Sequence, residues 1–539
     1  MGGRSQPIAD PAQNPPQTVS SHIAGDSASM MPTHQKLNDS GGYVGVNVVS
    51  CQVLAEHSVQ VKKNMLKIRN FKEIPYEELE VLNLEAKEDV QNHVSDDTLR
   101  EKYLRYLHDE KQLKAVTVCF SDLEGRFHML DYDKKYLEQS YDALTFDGSS
   151  IHGFSGQRES DLCLEIDWGS FRWLPSDIFG PGKVMVFGLI RDVNNQPYSG
   201  DIRGLLKRYN TELFKSGYES KIAFEVEGFL FKGIDAEQNF QADHGFDYVS
   251  DGGYFHTLPN TPLKLFIDHF AEAQRALGFE NEKDHPEVAP SQFELNFRCA
   301  EALTACDEVQ IYKLLARQIA SINGMTASFL PKPMMKVNGS GMHANMSISH
   351  NGRNLMFNSS GAGHLSEFGW KCVDKILYHA RDFCLVANSS VNAYRRLDPN
   401  FEAPNTIRVS TNDRTAIIRL PKGNEKTSRF ELRSVGPDAN PYLLTYTLLH
   451  LALDDYPAIR PDERNREDHK LPSNIYDAIA DFEQSDVMKN ILGPENHAKF
   501  AMLKKMVANR SPKDLGTRIK RGEIVFHHEV TNQSLWTDF

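Results

Sequence analysis

The sequence predicts an α+β protein: a small strand-rich domain over residues 111–200, then a larger domain over 201–539 in which strands and helices alternate. Three observations carry this. Val116, Val118 and Phe120 alternate ahead of a Leu123-Glu124-Gly125 turn, which is the period of a strand and the chemistry of a hairpin. Leu99, Tyr103 and Leu107 instead recur every four residues, the period of one helix face. The 539-residue chain is 40% hydrophobic and 25% charged, so it can bury large cores in several domains.

Taken in order, residues 1–42 are rich in Pro, Gly, Ser, Asn and Gln and read as a disordered tail. Residues 43–110 form an N-terminal extension. Val44, Val46, Val48, Val49 and Val53 allow a short strand there, and residues 74–111 read as helical, with Ser95 as an N-cap. The hairpin of Leu113–Met129 opens the small domain. The segment from Phe146 to Ile151 reads as a loop, and Leu162–Ile166 and Val184–Phe187 as strands. Asp201 starts a helix and the larger domain. Further helices are expected near 261–277, 300–323, 365–387, 439–454 and 497–508, around a sheet of mainly antiparallel strands.

Bulk chemistry excludes several function classes. A net charge of −13 argues against nucleic acid as a partner, because phosphate binding needs a basic face. No stretch approaches the ~20 apolar residues of a membrane span. Seven cysteines without a CxxC fit reduced thiols in a cytoplasmic protein. The Met1–Gln6 terminus lacks an apolar signal core, and Gln6 breaks the myristoylation pattern.

Candidate chemistry gathers in five places. In Phe224-Glu225-Val226-Glu227, two glutamates at i and i+2 share one strand face, which like charges disfavour unless a cation sits between them. A solvated edge strand is the bland alternative, and the apolar flanks argue against it. Glu287 and Glu294 are separated by a Pro-containing turn and a short strand, so both can reach one site. Arg429, Glu431 and Arg433 alternate on one face, as either a salt bridge or a metal ligand beside phosphate-holding arginines. Lys336–Ser347 brings two glycines beside Asn338, then His343, Asn345 and Ser347 on one strand face. Arg395, Arg396, Arg414 and Arg419 add positive charge suited to phosphoryl chemistry. No Walker loop and no kinase signature is present, so a nucleotide would be held by sheet residues and arginines. His527-His528-Glu529 has no further ligand nearby and reads as a terminal strand or docking tail.

Together these pieces resemble the glutamine synthetase family. The resemblance is carried by Phe146–Ser150, Glu225-Val226-Glu227, Gly252–Phe255, Glu287–Glu294 and Pro331-Lys332-Pro333 with Asn338–His343. It continues through Arg396-Leu397, Phe401–Pro404, Arg414, Arg419, Arg429–Arg433 and Pro437–Tyr442, in the family's order over roughly 111–450. It implies a β-grasp domain followed by a glutamine synthetase-type catalytic domain, and a ring-shaped homo-oligomer with active sites between subunits. By resemblance, Glu227, Glu287 and Glu294 would hold one Mg2+ or Mn2+, and Glu225, His343 and Glu431 the other. Asn338, Gly339, Arg396 and Arg433 would bind glutamate. Arg414, Arg419 and Arg429 would face the ATP phosphates, with Ser347 near the nucleotide. Asp147, Ser150, Tyr254, Glu287 and Glu402 would form the ammonium pocket and its flap, Asp147 taking a proton from ammonium and Glu402 closing the site.

The implied activity is ATP-dependent joining of L-glutamate and ammonia through γ-glutamyl phosphate. The alternatives are a γ-glutamyl-amine (polyamine) synthetase and a non-catalytic structural homologue. Three departures stand out: Asn345 two residues after His343, Asn412-Asp413 before Arg414, and an Asn474–Asp477 segment that resembles an adenylylated one without its acidic continuation.

Overall fold

A computed structural model describes residues 74–155, 160–241, 244–256 and 261–514, the side chains of 510–514 excepted. The tail over 1–42, the strand expected near 43–60 and His527-His528-Glu529 lie outside the described residues.

Two helices precede the first sheet, α1 (Tyr76–Gln91) and α2 (Asp96–Asp109). Ser95 caps α2, its hydroxyl accepting from the Thr98 N–H, and Leu99, Tyr103 and Leu107 turn inward. The first sheet holds β1 (Ala115–Ser121), β2 (Phe127–Asp133), β3 (Leu144–Asp147), β4 (Asp161–Trp173) and β5 (Lys183–Arg191), ordered β2-β1-β5-β4-β3. This is a β-grasp sheet. Its central pair, β1 and β5, runs parallel and the others antiparallel. The hairpin turn between β1 and β2 closes on Asp122, whose carboxylate accepts from the Glu124 and Arg126 N–H groups, with Gly125 at φ +91°. Phe146 and Asp147 are strand rather than loop, because β3 pairs with β4 as far as Asp147–Asp161. The first core joins this sheet to α1 and α2, with Tyr103 stacked on Phe171 at 4.3 Å.

The second sheet holds β6 (Tyr218–Lys232), β7 (Asn281–Pro286), β8 (Gln292–Phe297), β9 (Ala300–Glu301), β10 (Met325–Ser328), β11 (Met342–His350), β12 (Arg353–Asn354), β13 (Thr406–Ser410), β14 (Ala416–Arg419) and β15 (Phe430–Leu432). Its main path is β13-β14-β15-β11-β6-β8-β7. Pairing is antiparallel except between β13 and β14. Helices Ile202–Lys215, Pro262–Ala276, Ala302–Ile322, Glu367–Tyr378 and Pro441–Leu453 contribute to the large core beside it. The single helix expected over 365–387 ends at Tyr378, where the His379 ring turns to Asp382 (2.6 Å). A short helical turn, Cys384–Ala387, follows. The last helix is longer than expected, Asp486–Asp514, and kinks at Gly493. Among the described residues no helix is long and apolar enough to cross a membrane.

The first sheet meets helices Ile202–Lys215 and Ala302–Ile322 through buried charge. Arg203 donates to both carboxylate oxygens of Asp307 (2.8 and 2.6 Å) and lies 2.9 Å from Asp167 on β4. Asp167 is held far below the usual carboxylate range: burial alone would raise it, but Lys207 and Arg203 outweigh that.

Candidate active site

Five neighbouring strands, β14-β15-β11-β6-β8, carry the polar face of the second sheet. Registers align its residues into rows. Arg419 lies opposite Glu431, Glu431 opposite Asn345, His343 opposite Glu225, and Glu227 opposite Glu294. His285 on β7 lies opposite Glu294 on the other side. Strands ~4.8 Å apart keep cross-strand neighbours within reach of one cation.

The first cluster is Glu225, His343 and Glu431, whose ligand atoms lie within 4.8 Å of one another. His343 Nδ1 sits 3.2 Å from Glu225 Oε2, and the Asn345 amide donates to Glu225 Oε1 (3.1 Å). Burial raises the Glu225 pKa, but these bonds and the His343 charge outweigh it and hold it at about 2. Glu431 is buried and accepts from Arg419 (3.0 Å) and Arg433 (2.6 Å). Arg429 Nε donates to Asn345 Oδ1 (2.8 Å), so Asn345 ties an arginine to the cluster.

The second cluster is His285, Glu287 and Glu294, again within 4.8 Å. Burial, then repulsion from Glu227 and Glu225, pushes Glu294 up to about 10, and Glu287 is raised by burial and Glu227. Crowded carboxylates of this kind fit a divalent cation, which would restore their ionised form. His285 is a candidate ligand that the sequence reading passed over: a lone histidine two residues before a glutamate gives no periodic signal. Glu227 is not in this atom-level group. Its carboxylate accepts from Gly341 N (2.9 Å) and the Gln292 amide (3.2 Å), with His343 Nε2 3.9 Å away.

Beside the clusters, Arg396 and Arg433 are buried, and Arg396 Nη1 and Arg433 Nε have no hydrogen-bond partner among the described residues. Arg396 is lowered to about 10 by burial despite Glu227, with Arg433 opposing its charge. Two desolvated guanidiniums with spare donors suit an anionic ligand. A Cβ on Gly339 would strike Pro331 O at 2.3 Å, so only glycine fits there. Asn338 donates to Glu402 Oε2 (2.9 Å), and Glu402 holds a left-handed φ of +61°. Tyr254 stacks on Phe255 (3.8 Å), edge-on to His285. Its hydroxyl is raised by burial and Glu287, and lowered by contact with Arg414.

Asp413 is paired rather than free: it contacts Arg408 and accepts from the N–H (2.8 Å) and hydroxyl (2.8 Å) of Thr415. Its charge is therefore neutralised locally. Ser347 sits opposite Lys221, toward the far end of β11. Asp147 and Ser150 stand apart from these clusters. Asp147 accepts from the hydroxyls of Ser149 (2.6 Å) and Ser150 (2.5 Å), and none of its hydrogen bonds reaches Tyr254, Glu287 or Glu402. The Ser149 and Ser150 bonds lower its pKa.

A family model described as the glutamine synthetase catalytic domain matches residues 199–514, and one for the glutamine synthetase β-grasp domain matches residues 112–193. The glutamine synthetase of Staphylococcus aureus strain Mu50 is 34% identical over 426 residues, covering 75% of this chain and 93% of its own. That of Staphylococcus epidermidis is 34% identical over 420 residues, covering 74% and 92%. Among solved structures, the ADP complex of GmaS superposes with a TM-score of 0.67 at 23% identity, covering 78% of this chain and 98% of that one. The Plasmodium falciparum glutamine synthetase gives 0.67 at 19%, covering 76% and 96%. The two structures share the fold.

Proposed function

The chain belongs to the glutamine synthetase family, and from that premise we propose that it forms L-glutamine from L-glutamate, ammonia and ATP through γ-glutamyl phosphate. The observation that carries the reading is the pair of acidic clusters, each with one histidine, on a sheet face flanked by Arg396, Arg419, Arg429 and Arg433. ATP and a divalent cation are general requirements of the family. Glu225, His343 and Glu431 would hold one Mg2+ or Mn2+, and Glu287 and Glu294 the other, with Glu227 and His285 at hand. Bound there, the cations would neutralise phosphoryl oxygens.

The chain's own residues do the rest. Arg396 and Arg433, with Asn338 and Gly339, would orient glutamate so that a γ-carboxylate oxygen attacks the γ-phosphorus of ATP. The bond to ADP breaks, and charge developing on the transferred group faces Arg414, Arg419 and Arg429. The acyl phosphate then has a good leaving group. Ammonia reacts only when neutral. Asp147, kept ionised by its serine bonds, is suited to take a proton from ammonium. Because those bonds are local, we assign Asp147 and Ser150 to the site of a neighbouring subunit in a ring-shaped homo-oligomer, in the cytoplasm. Nitrogen adds to the acyl carbon, phosphate leaves with the bonding electrons, and the proton that nitrogen sheds in becoming an amide goes to the departing phosphate. Neither a nucleic acid nor a membrane has a role in this chemistry.

Glu402 would exclude water while the acyl phosphate waits. Glu402→Ala is expected to raise the ratio of phosphate released to amide formed about tenfold, as the intermediate leaks to hydrolysis. An unchanged ratio would remove Glu402 from this role.

A second reading, a γ-glutamyl-amine synthetase, is favoured by the stacked and exposed Tyr254 and Phe255 rings beside His285, a wall that would accept an alkylammonium. One experiment separates them. Purified protein is given ATP, Mg2+ and glutamate with ammonium or a panel of amines, and phosphate and amide are both measured. Turnover with ammonium supports the leading reading. Turnover with amines alone replaces it. No turnover with any acceptor favours a non-catalytic homologue.

A further inference from the structure

Lys332 is a buried lysine to which the proposed chemistry gives no task. It is 6% exposed, between Pro331 and Pro333, whose rings stiffen the backbone on either side. Burying an ammonium is costly, and packing alone would be served better by Met or Leu. Among the described residues no carboxylate lies within ion-pair distance of it. Its Nζ donates instead to Val337 O and lies over the Phe401 ring, 3.9 Å from the centroid.

Those contacts join three segments that each carry a candidate glutamate-side residue. Val337 precedes Asn338 and Gly339. Phe401 precedes Glu402, in the turn whose Phe401 N–H returns to Asp398 O (2.9 Å). The Lys332 backbone is bonded at both its N–H (2.6 Å) and its carbonyl (3.0 Å) by the side chain of Asn392. Asn392 is on the helix Val391–Arg396, which ends in Arg396. The lysine stem lies under Gly339, where a Cβ would come within 3.3 Å of its Cδ.

We propose that Lys332 is a positioning residue, a strap that holds the Asp398–Glu402 turn down on the Asn338–Gly339 loop and so keeps the acyl-phosphate side of the site closed. The functional half of this rests on the ligase reading above. The strap works with the Asn338–Glu402 hydrogen bond, and together they keep Glu402 in a backbone conformation that non-glycine residues disfavour. The ammonium form matters, because a cation is drawn to a ring face more strongly than a neutral amine. Burial and the facing Arg396 lower the Lys332 pKa while Asp398 raises it, leaving it at about 8. The strap therefore keeps most of its charge at neutral pH and loses it progressively as pH rises through about 8.

The test compares wild type, Lys332→Met, Lys332→Arg and, from the other side of the contact, Phe401→Leu. Hydrogen–deuterium exchange of peptides covering 398–404 needs no turnover. Lys332→Met and Phe401→Leu should speed it about tenfold and Lys332→Arg should stay near wild type. With ATP, glutamate and ammonium, Lys332→Met should raise the ratio of phosphate to amide about fivefold through kcat, with glutamate KM within about twofold. Above pH 8 the wild-type ratio should drift away from that of Lys332→Arg; ammonium ionisation cancels because it is common to both. Unchanged exchange in Lys332→Met and Phe401→Leu overturns the strap. Faster exchange with an unchanged ratio overturns its role in turnover. Loss of function in Lys332→Arg equal to that in Lys332→Met reduces Lys332 to a steric part. Should wild type turn over no acceptor, the ligase reading falls while exchange still decides the strap.

Discussion

Glu431→Gln is expected to lower kcat/KM for amide synthesis by at least about 1000-fold. Glu431 is the most deeply buried acid of the site, 1% exposed, and serves three neighbours. It neutralises Arg419 and Arg433 directly, and its Oε1 lies 3.9 Å from His343 Nδ1. The amide keeps the shape and removes the charge. The buried Arg433 is then left without its partner's charge, which costs about 3–5 kcal/mol, while Arg419, 37% exposed, is partly relieved by solvent. A ligand set that balanced a divalent cation with two carboxylates would hold only one. Two measurements separate the chemistry from the fold. Apparent Mg2+ affinity, read from the rise in thermal midpoint with added metal, should fall about 10- to 100-fold. Turnover should not recover at saturating metal, because the arginines have lost the group that aims them. A Glu431→Gln protein within tenfold of wild type would take Glu431 out of the metal site and leave it a salt bridge, the other meaning of its alternation with Arg429 and Arg433.

Much of this site was legible because a strand has a period of two. Glu225 and Glu227, His343 and Asn345, and Arg429, Glu431 and Arg433 each disclose a shared face from spacing alone. Which strand lies beside which is a matter of register, and that is settled by contacts far apart in sequence. His343 could be identified as polar and face-sharing, but its partner Glu225 is 118 residues away. His285 was missed for the same reason: only the β7–β8 register sets it across from Glu294. Asp413 stands out in sequence only as a departure before Arg414; its partner Arg408, five residues earlier, pairs with it where β13 runs parallel to β14. The hairpin at Gly125 and the capped helix at Ser95 were open to reading because their determinants are local. The break after Tyr378 was not, because a part-buried His379–Asp382 contact accompanies it while the apolar period continues through it.

Removing divalent metal should abolish turnover and expose a pH dependence of stability at the second cluster. Glu294 has a folded pKa of about 10 against an ordinary carboxyl value near 4.5, because burial and the neighbouring Glu227 and Glu225 oppose its ionisation. A folded pKa above the unfolded one means the folded state binds more protons between those values. The stability this supplies is complete below pH 4.5 and is lost progressively as pH rises toward 10. Glu287, raised for the same reasons, adds to the slope. Metal-free protein should therefore show a thermal midpoint that falls from pH 6 to pH 9, and saturating Mg2+ should flatten that fall. Binding must also displace the proton that the crowded acids retain. Calorimetric titration at pH 7.5 in two buffers of different ionisation enthalpy should give about one proton released per protein on metal binding. Glu294→Gln should remove most of that release, along with most of the pH slope of the metal-free protein, leaving the smaller part due to Glu287. No release from wild type would mean that the cation is not bound through Glu294. A slope undiminished in Glu294→Gln would move the titrating group to Glu287 or beyond the cluster. Turnover undiminished by exhaustive chelation would remove metal from the chemistry and return both clusters to structural salt bridges.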